Sequence, residues 1–380
     1  MGKMEKIRCC IMRGGTSKAI FLMENEIPSD PEKRKEIILK IFGSPDRRQI
    51  DGLGGADPLT SKCAVIGPSE SDDADIDYTF YNIGIETGSM KPSICGNISA
   101  AVGPFAIDEN LVRATEPVTK VKIYGTHIKR VIYAEVPTFQ GKAEVYGDCN
   151  IAGVPGTGAE IMLDWKNVVG IETGALLPTG NVKDEIYVDG IGKLCVSIVD
   201  CGNPVVFIAA NSLGLNGTEL PEKVDSDNRL LEKLELIRGT AAELVGLAKN
   251  RFHSRQENPN HPLLAFVSSP TTYITYSGSE IKATETDLVS RMMFMQIMHK
   301  TYAGSGAICT GVASMIEGSI VHENLRKEAI SMEKIRIGHP GGVMEVESKI
   351  ERKGDDFKVT RAAIGRTARR IMDGFVYIRT

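Results

Sequence analysis

Cys95-Gly96-Asn97-Ile98-Ser99-Ala100-Ala101 reads as a thiol standing at the start of a buried helix. A polar opening is followed by small and apolar residues as far as Ile107, and a helix that is apolar all round is buried on every side. Amides of a first helical turn lack intrahelical partners and favour negative charge, so a cysteine placed there is a candidate acid/base group. About half a chain later Cys309-Thr310-Gly311-Val312-Ala313 repeats the pattern. The repeat predicts a duplicated domain and a second cysteine-led helix, with two thiols available on opposite sides of a carbon acid.

Outward from these helices the chain alternates short β-like runs with Gly/Pro turns. Strands are expected over 7–12, 19–22, 63–66, 78–83, 121–124, 160–165, 194–199, 205–209 and 343–351. A helix is expected over 31–42. A longer one follows from Leu230, Leu234, Ile237, Ala241, Leu244 and Ala248 at helical spacing. Pro104 should kink the first cysteine-led helix or end it early. A hairpin turn is expected at Lys353-Gly354-Asp355-Asp356. The fold class is therefore α+β, with two similar domains, 1–183 and 184–380. Each would wrap a sheet around its own helix, and the last strand is free to return to the first domain.

At 380 residues the chain suits two domains. A net charge of −4 advertises no nucleic-acid surface. No apolar run is long enough to span a membrane, and Met1 to Lys6 lacks a signal-like apolar stretch, so a cytoplasmic location is expected. The eight cysteines form no Cys-x-x-Cys pair or Cys/His quartet, so neither a metal site nor a disulfide framework is expected.

Three loops carry donors. Arg13-Gly14-Gly15-Thr16-Ser17-Lys18 follows the first strand and can turn its amides outward as an anion nest. Without a Walker ending, it is no nucleotide loop. Asp51 to Cys63 is a second donor-rich loop, and it ends on Ser61-Lys62 as a strand begins. A lysine at such an edge can pair with a carboxylate or stabilise an enolate-like transition state. Gly202-Asn203-Pro204 is a tight turn whose asparagine can face a ligand.

Taken together, Met12 to Lys18, Gly54-Gly55 through Ser61-Lys62, Cys95 to Ala106, Val154 to Ala159, Asp200 to Phe207 and Thr367 to Arg370 resemble the PrpF family. That family is a branch of the diaminopimelate-epimerase-like superfamily. Cys95-Gly96-Asn97, Gly202-Asn203-Pro204 and Cys309-Thr310-Gly311 resemble the superfamily's first cysteine motif, Gly-Asn-Pro turn and second cysteine motif. The resemblance implies an epimerase-like fold with the active site between two β-barrel-like domains. It implies a cofactor-independent isomerase that moves a C=C bond in an unsaturated di- or tricarboxylate. Conversion of 3-methylitaconate to 2,3-dimethylmaleate is the leading expectation; aconitate or 2-methylaconitate isomerisation and 4-oxalomesaconate tautomerisation are the alternatives. Lys62 and Cys95 are the catalytic pair so implied, with Cys309 a candidate second acid/base. Arg13, Thr16, Ser17, Ser61, Gly96, Asn97, Asn203, Thr310 and Gly311 are the expected substrate donors. Two further readings stand beside this one: a two-cysteine amino-acid racemase or epimerase, and an accessory partner of an aconitase-like dehydratase. No metal, nucleic acid or membrane partner is expected, and a homo-oligomer is left open.

Overall fold

In the computed structural model, residues 4–354 and 356–379 are described. Met1 to Lys3, and Asp355 of the expected hairpin turn, lie outside the described residues. The chain divides into two compact units: one runs through Leu163 and takes in Gly365 onward, the other is Asp164–Ile364. The division falls at 163/164, ahead of the 183/184 read from the sequence.

The first unit contains strands β1 (Met4–Gly14), β2 (Ser17–Met23), β3 (Lys62–Pro68), β4 (Ile76–Ile83), β5 (Met90–Ser93), β6 (Val118–Gly125) and β7 (Arg130–Phe139). β1–β2, β3–β4, β4–β5 and β6–β7 pair antiparallel, whereas β2–β3 and β4–β6 pair parallel. The C-terminal strand Ala368–Arg379 joins this unit by pairing antiparallel with β1.

Each parallel pair needs a crossover. Helix α1 (Pro31–Phe42) supplies one: Asp30 caps it by accepting from Lys33 N at 2.9 Å, Pro31 opens it, and Gly43 in the left-handed region closes it. Helix α2 (Gly96–Asp108) lies in the other and runs on past Pro104 to Asp108, so the proline does not end it early. Ile98 to Ile107 are all buried, because α2 touches β1, β2, β3, β6, β7 and the C-terminal strand.

The second unit repeats this plan strand for strand. β8 (Gly192–Cys201), β9 (Asn203–Ala209), β10 (Leu263–Ser268), β11 (Leu288–Phe294), β12 (Ile297–Met298), β13 (Lys334–His339) and β14 (Gly342–Lys353) correspond in order to β1–β7. The same pairs are antiparallel and the same pairs parallel. Helix α3 (Asn228–Leu244) stands where α1 does, capped by Asp227 accepting from Leu230 N at 3.1 Å. It stops before the predicted Ala248. Helix α4 (Gly304–Met315) stands where α2 does, and its residues Gly306 to Ser314 are buried.

In both units the sheet is a two-faced layer. Ile38, Ile41 and Phe42 of α1 pack with Ile20, Leu22, Cys63 and Val65. Leu234, Ile237 and Ala241 of α3 pack with Val206, Ile208, Leu264 and Phe266. Side chains alternate along a strand, so Lys62 and Ala64 point the other way from Cys63 and Val65, towards α2. Periodicity alone did not predict which face of β3 the lysine occupies.

Candidate active site

The α2 face of the first unit collects most of the expected site. Cys95 is the N-cap residue of α2, half-buried, with extended backbone and no side-chain capping bond. Ser99, one turn on, donates its Oγ hydrogen to Cys95 O at 2.9 Å. The β1–β2 turn meets the same helix end. Asn97 Nδ2 donates to Thr16 Oγ1 at 3.0 Å. Gly15 sits at φ 50°, where a Cβ would come within 2.2 Å of Asn97 Oδ1; only glycine allows that approach. The loop Val154 to Ala159 and the stretch beginning at Thr367 also belong here. A Cβ on Gly158 would meet Thr367 at 3.3 Å, and Gly15 N donates to Thr367 O at 2.9 Å.

Lys62 opens β3. Its side chain is buried to 8% exposure, its Nζ lies 5.4 Å from the centre of the Phe80 ring, and it donates to Asn82 Oδ1 at 3.0 Å. Asn82 in turn donates its Nδ2 hydrogen to Ser93 Oγ at 3.0 Å. A chain of side chains therefore runs from the ammonium to a residue two positions before Cys95. Asn82 and Ser93 escaped the sequence reading. The alternation of Tyr78, Phe80 and Asn82 along β4 was their signal, since a polar residue closes an otherwise buried inner row.

Two expected donors are occupied as scaffold. Arg13 donates through one guanidinium nitrogen to Gly15 O at 3.0 Å and Thr367 O at 2.9 Å. It holds the turn by its carbonyls; burial, with Arg369 opposite, holds its pKa below the usual arginine value. Ser61, 1% exposed, donates to Gln49 Oε1 at 2.7 Å and so fastens the Asp51–Lys62 loop. Ser17 is buried, and its hydroxyl has no partner among the described residues.

The second unit corrects one expectation. Cys309 does not lead its helix. The helix begins at Gly304 with Ala303 as N-cap, and Cys309 lies in its middle, fully buried, donating Sγ–H to Val199 O at 3.2 Å. Burial, with Cys201 nearby, pushes its pKa well above the usual thiol value, the opposite of a helix-end thiol. Thr310 and Gly311 are likewise interior. Thr310 Oγ1 bonds Gly306 O at 2.8 Å and the Tyr302 hydroxyl at 2.9 Å, so neither residue offers a donor at the helix start. Ala303-Gly304-Ser305 occupies the place of Cys95-Gly96-Asn97. The turn-to-helix clamp is conserved between the units: Asn203 Nδ2 donates to Ser305 Oγ at 2.9 Å, and Gly202, at φ 78°, presses on Ser305. The side chains are not repeated. Leu263 opens β10 where Lys62 opens β3, and Phe294 ends β11 in the seventh position, where β4 carries Asn82.

Among the described residues, no cluster of three His, Cys, Asp or Glu side chains could hold a metal ion. No helix among them is long and apolar enough to cross a membrane.

The duplicated fold, a sheet wrapped on a buried helix in each unit, is that of epimerases. Solved structures of a hydroxyproline epimerase from Agrobacterium vitis and a probable proline racemase from Agrobacterium radiobacter align with TM-scores of 0.52 and 0.50 at 12% identity. The first alignment covers 98% of this chain and 92% of that one, the second 97% and 92%. At that identity they show the fold alone. Residues 4–379 match the model of the PrpF protein family, and the chain belongs to that family. The 3-methylitaconate isomerase of Eubacterium barkeri is 49% identical over 100% of this chain and 98% of its own. A crystal structure of methylitaconate-delta-isomerase matches with a TM-score of 0.93 over 99% of this chain and 96% of that one, also at 49% identity. The 2-methyl-aconitate isomerase of Shewanella oneidensis is 35% identical over 98% and 97% of the two chains. For the 4-oxalomesaconate tautomerase of Pseudomonas putida the figures are 34%, 98% and 96%.

Proposed function

We propose that this chain is an isomerase that moves a C=C bond in an unsaturated dicarboxylate, with 3-methylitaconate as substrate and 2,3-dimethylmaleate as product. The observation that carries the reading is one constellation in the first unit. A half-buried thiol heads α2, and an ammonium is tethered through Asn82 to the strand leading into that thiol. The 49% identity to a 3-methylitaconate isomerase over the full chain, against 34–35% to the tricarboxylate and oxo-acid relatives, supports the choice of substrate.

The chemistry asks for these groups. A C–H bond breaks at the carbon between a carboxylate and the alkene, and a new C–H bond forms at the methylene end. Between the two steps the electron pair is spread as a dienolate onto the carboxylate oxygens. Of Cys95 and Lys62, one takes the first proton and the other supplies the second; solvent exchange returns both to their starting states. The Lys62 ammonium, the α2 amides and the Thr16 hydroxyl are the fixed donors that meet the growing charge. A two-thiol racemase loses its footing here, because the second unit carries Ala303 at the helix start. A cytoplasmic location goes with this reading.

Proton NMR in D2O tests it, with 3-methylitaconate, trans-aconitate and 4-oxalomesaconate offered in turn. Conversion of 3-methylitaconate with deuterium entering a methyl group is expected, and Cys95→Ala and Lys62→Ala should each slow it by about 10²–10⁴-fold. Absence of exchange with every substrate would end the isomerase reading.

A further inference from the structure

Beneath the first turn of α2 a tyrosine hydroxyl is buried without an aligned partner. Tyr78 is the third residue of β4, 1% exposed, in the same inner row as Phe80 and Asn82. Its hydroxyl reaches towards Ser99 and lies within electrostatic range of Cys95, yet no group is aligned to hydrogen-bond with it. Ser99 already gives its own proton to Cys95 O. Buried polar groups are nearly always paired, so an unpaired hydroxyl calls for an explanation. The second unit shows the ordinary solution: Ser290, third residue of β11, is buried and bonds the Tyr302 hydroxyl at 2.8 Å. Burial, with Cys95 beside it, pushes the Tyr78 hydroxyl well above the usual tyrosine range. It stays protonated and can only donate or share its proton.

No acceptor is aligned with its hydrogen, and a thiolate at Cys95, which follows the strand residue Ser93 paired to Phe80, would be a stronger one than the Ser99 hydroxyl. We propose that Tyr78 is a positioning residue for Cys95: its hydroxyl donates a hydrogen bond to the sulfur whenever Cys95 is a thiolate, and goes unpaired when the thiol is protonated. The inference rests on the reading of Cys95 as the acid/base group. The other titratable groups facing this helix end are Lys62 from β3 and Lys91 from β5, the latter paired across from Asn82. The hairpin adds Arg13, already committed to carbonyls, and the first turn of α2 carries no acidic side chain. Against these charges, Tyr78 adds a directional bond that follows the protonation state.

The test is Tyr78→Phe, which keeps the ring and removes the unpaired hydroxyl. The readout is the pH dependence of Cys95 alkylation by iodoacetamide, followed on the Cys95 peptide by mass spectrometry. A hydrogen bond to a charged group implies that the midpoint moves up by about one to two pH units. The acid limb of kcat/KM should move with it. Replacing Tyr78 with 3-fluorotyrosine, a stronger donor of nearly the same shape, should move the midpoint down, and it serves if the phenylalanine variant folds poorly. A midpoint unmoved in a folded variant overturns the proposal. Alkylation needs no substrate, so a shifted midpoint in a protein that isomerises nothing would sink the isomerase reading and leave Tyr78 standing.

Discussion

Replacing Asn82 with alanine asks whether Lys62 works as a positioned group. Asn82 accepts from Lys62 Nζ and donates to Ser93 Oγ, each at 3.0 Å, so its loss frees the ammonium from the strand that leads to Cys95. A hydrogen bond to a charged group contributes about 1.5–3 kcal/mol, and a lysine side chain carries about 2 kcal/mol of rotamer entropy that the tether helps suppress. If that order is needed in the transition state, kcat/KM falls by about ten- to a hundredfold at about 1.4 kcal/mol per decade. Asn82 is itself exposed but its partner Lys62 is buried, so unfolding free energy should also fall, by about 1–2 kcal/mol. Initial rates with 3-methylitaconate, read by NMR beside a urea titration, separate the two effects. In a Lys62→Ala background, measured at raised enzyme concentration on the residual rate, the same substitution should cost nothing more. An equal loss in both backgrounds would refute the tether. So would a wild-type rate in the single variant.

Two further outcomes follow from the burial of particular groups. Cys309→Ala should keep isomerisation while lowering stability by about 1 kcal/mol, the usual consequence of trimming a packed side chain; a lost rate in a protein of unchanged stability would restore Cys309 as an acid/base group. Asp287, 1% exposed, accepts from both Arg326 and Arg336. Burial pushes its pKa up, but the hydrogen bonds and charge of Arg336 with the charge of Arg326 outweigh it, so the net shift is downward. A depressed folded pKa contributes stability above the unfolded carboxyl value, about 3.9, and loses it as pH falls through the folded one. Asp287→Asn should therefore cost about 2 kcal/mol at pH 7, less than a fully buried pair because both guanidinia reach water. The difference from wild type should close below about pH 4; a gap that stays constant into acid would show the carboxylate charge to be irrelevant.

The parts of this fold that the sequence disclosed are those written in local chemistry. Asp30-Pro31 and Gly43 announce both ends of α1, and the unbroken apolar run from Ile98 announces a helix with no exposed side. Cys95 was legible because its motif and its helix start coincide. Lys62 was legible as a strand-edge lysine, but its partner was not. Asn82 lies 20 residues away along the chain and meets Lys62 only through the β3–β4 register, which no local pattern encodes. Tyr78 was invisible for a similar reason. A tyrosine in an alternating strand reads as core, and only the β4–β5 register, which pairs Phe80 with Ser93 just ahead of Cys95, brings its hydroxyl towards the start of α2.

The misplaced second cysteine shows where such reading fails. Ala303-Gly304-Ser305-Gly306 and Cys309-Thr310-Gly311 are both small, polar-edged openings to the same apolar run, and either can begin a helix. The packing resolves the choice: Tyr302, itself bonded to Ser290, pairs with Thr310 from the side, Val199 O accepts from the Cys309 thiol, and Asn203 clamps Ser305. The clamp is the conserved element, since Thr16 holds Asn97 in the same way. Both units therefore carry the turn, the glycine and the helix N-terminus, and only the first places a cysteine at that helix start and a lysine at the start of the matching strand. A reaction that needed two equivalent thiols would call for a cysteine where Ala303 stands. A reaction that needs one thiol and one ammonium does not, and the first unit alone carries both.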